Sequence, residues 1–352
     1  MTDSSQPRWA PEALHRVLRV LLPILLALGA GAVLLVILGK DPLAYYGYVL
    51  KRGLYSPSGF EASITRMAPL LLIAAGLIVA FRAGLWNLGV DGQFLLAAVF
   101  VSALTPALLP FMPAIAAIVL AFLVAVAVGA AWSLIPAFLK ARHGINEIIS
   151  TLMMSFLGVS FANVLIKIPF NDPSTTVPQT ATLPVDDRLA RLGDSTVHWG
   201  VVLAVIMVVA VHYLMERTSL GLKLQIVGTN PRTAIHCGLD VKRLTFVAFA
   251  ISAGLAGLAG AVDVLGVHGT IRADWNPAYG IVVIPLVFLA RFNGFAVIAF
   301  VFFFAVLMIG GESAARRLGV PSFFVLVLVA LLMLFFAVIE FLDHARRNRA
   351  GS

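Results

Sequence analysis

The sequence predicts an all-α fold: a polytopic helical membrane protein with about ten transmembrane helices. Hydrophobic residues make up 61% of the chain and charged ones 12%, outside the usual range of soluble domains. Mean hydropathy is +0.99. The apolar residues come in continuous runs rather than in alternation, and inside a bilayer such runs satisfy their own backbone groups only as helices.

Arg8, Arg16 and Arg19 precede the first apolar run. That run is too long for the core of a signal peptide, so it is an uncleaved span over residues 18–39, after a cytoplasmic tail over 1–17. Windows bounded by charges and by Pro or Gly then follow at 64–81, 94–110, 114–139, 145–166, 198–215, 244–267, 279–291, 294–311 and 321–341. The window at 279–291 is short for a full crossing. Residues 18–341 thus form one transmembrane domain, and 342–352 form a basic cytoplasmic tail.

With the N-terminus inside, the cytoplasmic loops hold the larger share of the 25 Lys+Arg. Lys40, Lys51, Arg52, Arg66, Arg316 and Arg317 run against that assignment, whereas the segment 171–197, with Asp172, Asp186, Asp187 and Asp194, suits an outside loop. The net charge of +8 is explained by membrane orientation, so nucleic acid is not an expected partner. A single cysteine, Cys237, excludes an internal disulfide and a Cys-based metal site.

Several chemistries have no residues to rest on. No phosphate-binding G-x-x-x-x-G-K-[ST] is present, since the one Gly-Lys pair, Gly39 and Lys40, is followed by Asp41. The zinc and serine-nucleophile motifs H-E-x-x-H and G-x-S-x-G do not occur. His143 and Glu147 stand four apart, but a lone pair is structural more often than metal-binding. No catalytic, cofactor or metal site is therefore expected on this chain.

Polar residues at apparent membrane depth are the functional candidates, because burying them unpaired is costly. In "FRAGLWNLGVDGQF" three glycines surround Trp86, Asn87, Asp91 and Gln93, which describes either a broken helix beside a solute path or an ordinary loop. In "GINEIISTLMMSFLGVSFANVLI" the residues Glu147, Thr151 and Ser155 recur every four positions with Asn146 and Ser150 alongside, so one flank of a helix is polar and predicts a pore-lining face. In "FAISAGLAGLAGAVDVLGVHG" two ridges of small residues, Ser252, Ala256, Gly260 and Ala253, Gly257, Ala261, predict close helix packing. Asp263 follows on the same helix and needs a partner there.

The polar island "VGTNPRTAIHCGLDVKR", residues 227–243, carries its own helix signals. Asn230 suits the N-cap, Pro231 the first helical position and Gly238 the position past the end. The helix they bound is about two turns long and must be held by other contacts. Ala234, Ile235 and Leu239 offer it an apolar face, and Arg232, His236, Lys242 and Arg243 keep it polar on the cytoplasmic side. Both a docking element and a plain loop fit these residues.

The order "GLWNLGVDGQ", "GINEIISTLM", "GTNPRTAIHCGLDVKRLTFVAFAISAGLAGLAGA" and "LARFNGFAVIAFVFFFAVLMIGGESAARRLGVP" resembles the permease subunits of bacterial ABC importers in the branched-chain amino acid and ribose permease superfamily, nearest to its nucleoside, or simple-sugar, branch. The resemblance covers about residues 64–341. It implies a multi-pass protein of the bacterial inner membrane, working with a cytoplasmic ABC ATPase that binds ATP and Mg, a second permease subunit, related or identical, and an extracytoplasmic solute-binding protein. It also implies that residues 230–238 form a cytoplasmic coupling helix, with Asn230, Pro231, Arg232, Ala234, Ile235 and Gly238 facing the ATPase. Three positions depart from the family pattern: Arg232 where Glu is frequent, Ser155 where the nucleoside branch commonly has Asn, and Asp91 where Glu is common. The solute implied is a purine nucleoside or a related small polar molecule, with ribose-like sugars as the alternative. Trp86 can stack on a base, and Asn87, Asp91, Gln93, Asn146, Glu147, Thr151, Ser155 and Asp263 can line its path. A rival of another class, an ion-coupled secondary transporter, would use Glu147 and Asp263 as coupling carboxylates and would need no ATPase.

Overall fold

In the computed structural model, residues 9–321 and 323–350 are described. The first eight residues of the expected tail 1–17 and the last two of the tail 342–352 lie outside them. The described residues hold no strand, only isolated bridges between Gln179 and Arg272 and between Arg191 and His198. The helices are α1 (Trp9–Ile37), α2 (Pro42–Leu50), α3 (Pro57–Arg82), α4 (Val90–Leu108), α5 (Ala114–His143), α6 (Glu147–Lys167), α7 (Gly200–Arg217), α8 (Ser219–Thr229), α9 (Pro231–His236), α10 (Val241–Asp263), α11 (Tyr279–Leu289), α12 (Gly294–Leu318) and α13 (Phe324–Ala350).

Seven of these, α3 to α7, α10 and α12, are long and apolar enough to cross a bilayer. Shorter apolar stretches lie at Leu21–Ile37 of α1, in α11 and at Phe324–Ile339 of α13. The chain is thus all-α and polytopic, and these stretches fall on the ten windows of the sequence. Two connections differ from expectation. The segment after α1 folds into α2 and one π-helical turn at Lys51–Tyr55, and the segment after α7 forms α8, which runs into the first residues of the island. Helix α2 has nine residues and α8 eleven, too few to stand out as crossings beside the spans.

Two compact units divide the chain, one from residues up to Gly59 with those from Val306 onward, the other from Phe60–Ala305. In the first, α1 packs along α13. Leu35, Tyr45, Val49, Ala314, Phe324 and Leu328 form its core. The ring of Tyr45 meets that of Phe324 edge-on at 5.2 Å, and the Tyr46 hydroxyl donates to the Leu28 carbonyl over 2.8 Å.

In the second unit α10 is the central helix, packed along both α5 and α4. Its two small-residue ridges face different neighbours. A Cβ on Gly257 would collide with the Ala125 carbonyl of α5, and one on Gly260 with the Phe94 carbonyl of α4. Without a hydrophobic driving force between helices in lipid, such close approach supplies the packing energy. The segment 171–197 is an ordered strap rather than a free loop. Leu189 N donates to Leu265 O, Leu183 N to Gly269 O and Thr180 N to Ile271 O at 2.8–3.0 Å, and Leu183 is buried against Ala97, Ala125 and Ala261. At its start the Ser174 hydroxyl and amide both donate to Asp172, holding that carboxyl below the usual carboxylate range.

Gly257→Ala is expected to lower stability in detergent by about 1–3 kcal/mol, the usual cost of overpacking, as a fall in the thermal unfolding midpoint. Gly254→Ala, whose nearest neighbour is the side-chain end of Val126 at 3.1 Å, should change it by less than about 0.5 kcal/mol.

Candidate functional site

The residues of "FRAGLWNLGVDGQF" form a break at membrane depth. Helix α3 stops at Arg82 because Gly84 takes φ +69°, a backbone region open to glycine, and α4 does not start until Val90. The depth follows from Ser252, which lies near the middle of the 28-residue apolar helix Val241–His268. Gly76 of α3 packs on the Ser252 backbone, and the Asn87 amide donates to Ser252 Oγ over 3.0 Å. Between these two points α3 runs on to Arg82, roughly 9 Å further along its axis, and the chain then returns to the level of Ser252. The segment is therefore re-entrant rather than a surface loop.

Irregular backbone at that depth needs hydrogen-bond partners from side chains. The amides of Asn87 and Gln93 bond each other reciprocally at 3.0 and 3.1 Å, and Asn87 Oδ1 also accepts from Gly89 N at 3.1 Å. Leu88 N donates to Thr151 Oγ1 at 3.1 Å and Gly92 N to Ser155 Oγ at 3.2 Å. The polar flank of α6 is thus turned onto the break, while Ile149, Met153 and Phe156 on its other side are exposed. Asn146 caps α6 through Ile148 N at 2.9 Å, and Glu147 pairs with Lys140 at 2.6 Å.

A second helix begins at the same place. Asp91 Oδ1 accepts from Gly280 N over 2.7 Å at the first turn of α11, whose far end carries Phe288 to the rings of Phe81 and Trp86 at 5.1 and 5.5 Å. Helices α4 and α11 start side by side and run in opposite directions, so the positive ends of both dipoles fall near the Asp91 carboxylate. Trp86 is the member of the cluster that reaches out of the protein, 37% exposed.

Asp263 lies in a neighbouring group. His268 Nε2 is 3.7 Å from its carboxylate, and Arg66 and Tyr279 complete its surroundings. The His268 ring meets Trp275 at 4.9 Å, and Trp275 and Tyr279 both pack on Phe94. His268, Thr270, Arg272, Asp274 and Trp275 line a cavity of about 470 Å³. Sequence reasoning missed Arg66, His268, Trp275 and Tyr279 as neighbours of Asp263. Only Arg66, a charge inside the 64–81 window, left a signal that could have found them. No group of three or more His, Cys, Asp or Glu capable of holding a metal ion occurs among the described residues.

The island folds largely as its signals indicate. Asn230 Oδ1 accepts from Arg232 N at 3.0 Å and from Thr233 N at 3.2 Å, Pro231 opens the six-residue α9, and Gly238 takes φ +73° beyond its end. Its first residues belong to α8, itself capped by Thr218. Of the apolar face, Ala234 is fully buried in its own chain and Ile235 is 62% exposed. A groove of about 470 Å³ runs between α8 and α10 past Gly238, walled by Lys223, Asp240 and Arg243.

The profile of the family described as branched-chain amino acid transport system / permease component matches residues 59–337. The glucose ABC transporter permease of Haloferax volcanii is 34% identical over 92% of this chain and 88% of its own length. The guanosine ABC transporter permease of Bacillus subtilis is 28% identical over 93% and 94%. The nucleoside ABC transporter permease of Lactococcus lactis is 26% identical over 92% and 91%.

Asn87→Ala strips Gln93 and Gly89 N of buried partners and is expected to cost about 1–3 kcal/mol in unfolding measurements. In a double-mutant cycle, Asn87→Ala with Gln93→Ala should cost less than the two single changes summed, by about 1 kcal/mol.

Proposed function

The chain belongs to the family of permease components of branched-chain amino acid transport systems, and from that membership we propose that it carries a purine nucleoside or a closely related small polar solute. It is a multi-pass inner-membrane permease subunit of an ATP-binding-cassette importer, so it works with other subunits of such a system. This assignment replaces the reading as an ion-coupled carrier. In the proposed assembly those subunits are a cytoplasmic ATPase that binds ATP and Mg, a second and related permease, and an extracytoplasmic solute-binding protein. No cofactor binds this chain in the proposal, and its role is transport rather than catalysis.

The observation that carries the solute reading is the re-entrant break, where polar side chains gather at membrane depth beside the starts of two opposed helices. Trp86 supplies a ring face on which a base can stack, since every base has a π-face. Asp91, Asn146 and Glu147, each already holding one partner in Gly280 N, Ile148 N and Lys140, are the further hydrogen-bonding groups of the proposed path. Asn87, Gln93, Thr151 and Ser155 give the break its shape, their own bonds being used within it. Asp263 and its neighbours stand beyond the starts of α4 and α11. At the other end, α9 offers the exposed Ile235 and the capped turn at residues 230–238 to the ATPase. ATP binding there would displace α9, and that displacement would switch the path between its two openings.

The match to a glucose permease supports sugars as the second reading. In proteoliposomes of the complete importer, uptake of labelled guanosine should be competed by purine nucleosides; competition by hexoses or ribose alone would overturn the nucleoside assignment. Asp91→Ala, which also uncaps α11, should lower uptake about tenfold or more at normal expression. Ile235→Glu on the exposed side of α9 should lower uptake per ATP hydrolysed about tenfold and leave solute capture by the binding protein unchanged. Unchanged uptake in Ile235→Glu would count against α9 as the docking element.

A further inference from the structure

Helix α8 ends against the turn that follows α3, and the contact is backbone on backbone. A Cβ on Gly84 would lie 2.8 Å from the Gly228 Cα and 3.0 Å from its carbonyl oxygen. A Cβ on Gly228 would collide with the Arg82 carbonyl and lie 2.7 Å from Gly84 N. No side chain stands between the two strands of chain, so the contact cannot yield by a change of rotamer.

Its position along the chain matters as much as its tightness. Gly228 is followed two residues later by Asn230, the cap of α9, and Gly84 is followed three residues later by Asn87, the hub of the re-entrant break. Arg82 pairs with Glu216 of α7 beside the same contact. Gln225 Nε2 donates to Met215 O, and Gly221 packs on Leu214 and Met215, so α8 is held along its length. The other side of α9 is different. Gly238 has φ +73° and no atom within 4 Å of where a Cβ would be, so that turn is closed by its own backbone bonds, Gly238 N to Ile235 O and Leu239 N to Ala234 O, and packs on no other element there. A force on α9 therefore meets close backbone packing at Gly228 and none at Gly238.

We propose that the Gly84 and Gly228 contact transmits the movement of α9 to the membrane break, with Gly84, Gly228 and the Arg82 and Glu216 pair as positioning residues for transport. The proposal rests on the reading of α9 as the ATPase docking element and adds the route by which its movement reaches the solute path. The added methyl of Gly228→Ala forces the two backbones apart without touching the surface of α9 or the side chains of the break.

The test uses the complete importer in proteoliposomes, reading ATP hydrolysis, solute uptake and co-purification of the ATPase together. Gly228→Ala is expected to keep the ATPase bound and hydrolysing while uptake per ATP falls about tenfold. Gly47→Ala, at a glycine with no atom within 4 Å of where the added methyl would stand, should keep the wild-type ratio. Where Gly228→Ala does not assemble, Glu216→Gln is read instead, with an expected fall in the ratio of about threefold, reversed in the swap Arg82→Glu with Glu216→Arg. A wild-type ratio in the variant read, or a parallel loss of hydrolysis and uptake, overturns the proposal. If Ile235→Glu also leaves coupling intact, the failure belongs to the docking reading; if Ile235→Glu uncouples and the variants here do not, it belongs to this inference alone.

Discussion

The requirement that every backbone N–H and C=O be bonded at membrane depth organises this protein. A helix meets it without help except at its first turn, but the chain between α3 and α4 is not helical, and donors there and at the start of α4 must find side chains. Leu88 N and Gly92 N find the hydroxyls of Thr151 and Ser155, and Gly89 N finds Asn87. From that need follow the polar flank of α6, the amide pair at Asn87 and Gln93, and the close approach of α10. Ser252 can reach Asn87 because the glycines of the ridge let α10 approach α4 and α5 at backbone distance.

The same arrangement gives the permease an uneven interior. Two helix starts lie near one carboxylate, and a low-dielectric setting strengthens their dipoles. Asp91 answers the start of α11, and the aromatic group of Phe81, Trp86 and Phe288 closes the lower side. A solute with ring faces and hydroxyl groups suits such surroundings, since one part stacks and the other exchanges hydrogen bonds. Asp263, with His268, Arg66 and Tyr279, forms a neighbouring cluster that shares the start of α11.

Helix α9 poses the opposite physical problem. Its six residues are too few to be stable alone, so tertiary contacts must hold it. The cap at Asn230, the buried Ala234 and the clamped end of α8 do so on the side toward the membrane break. The exposed Ile235 and the exposed turn at Gly238 remain on the side that a partner can use.

Signals that live within one helix or one turn were legible from residues alone. The apolar windows, the ridges of Ser252 to Gly260 and of Ala253 to Ala261, and the cap of α9 all depend on spacings of a few positions, and each stands where those spacings put it. The polar flank of α6 was legible too, but not what it faces: its groups meet the break because Gly92 and Gly158 let α4 and α6 touch, a contact between residues 66 positions apart. The short helices α2 and α8 lacked the length that marks a crossing. The re-entry of residues 83–89, the neighbours of Asp263 and the meeting of α4 with α11 were decided only by tertiary structure. Each joins groups far apart in the chain, and local spacing carries no information about which distant donor will satisfy a buried acceptor.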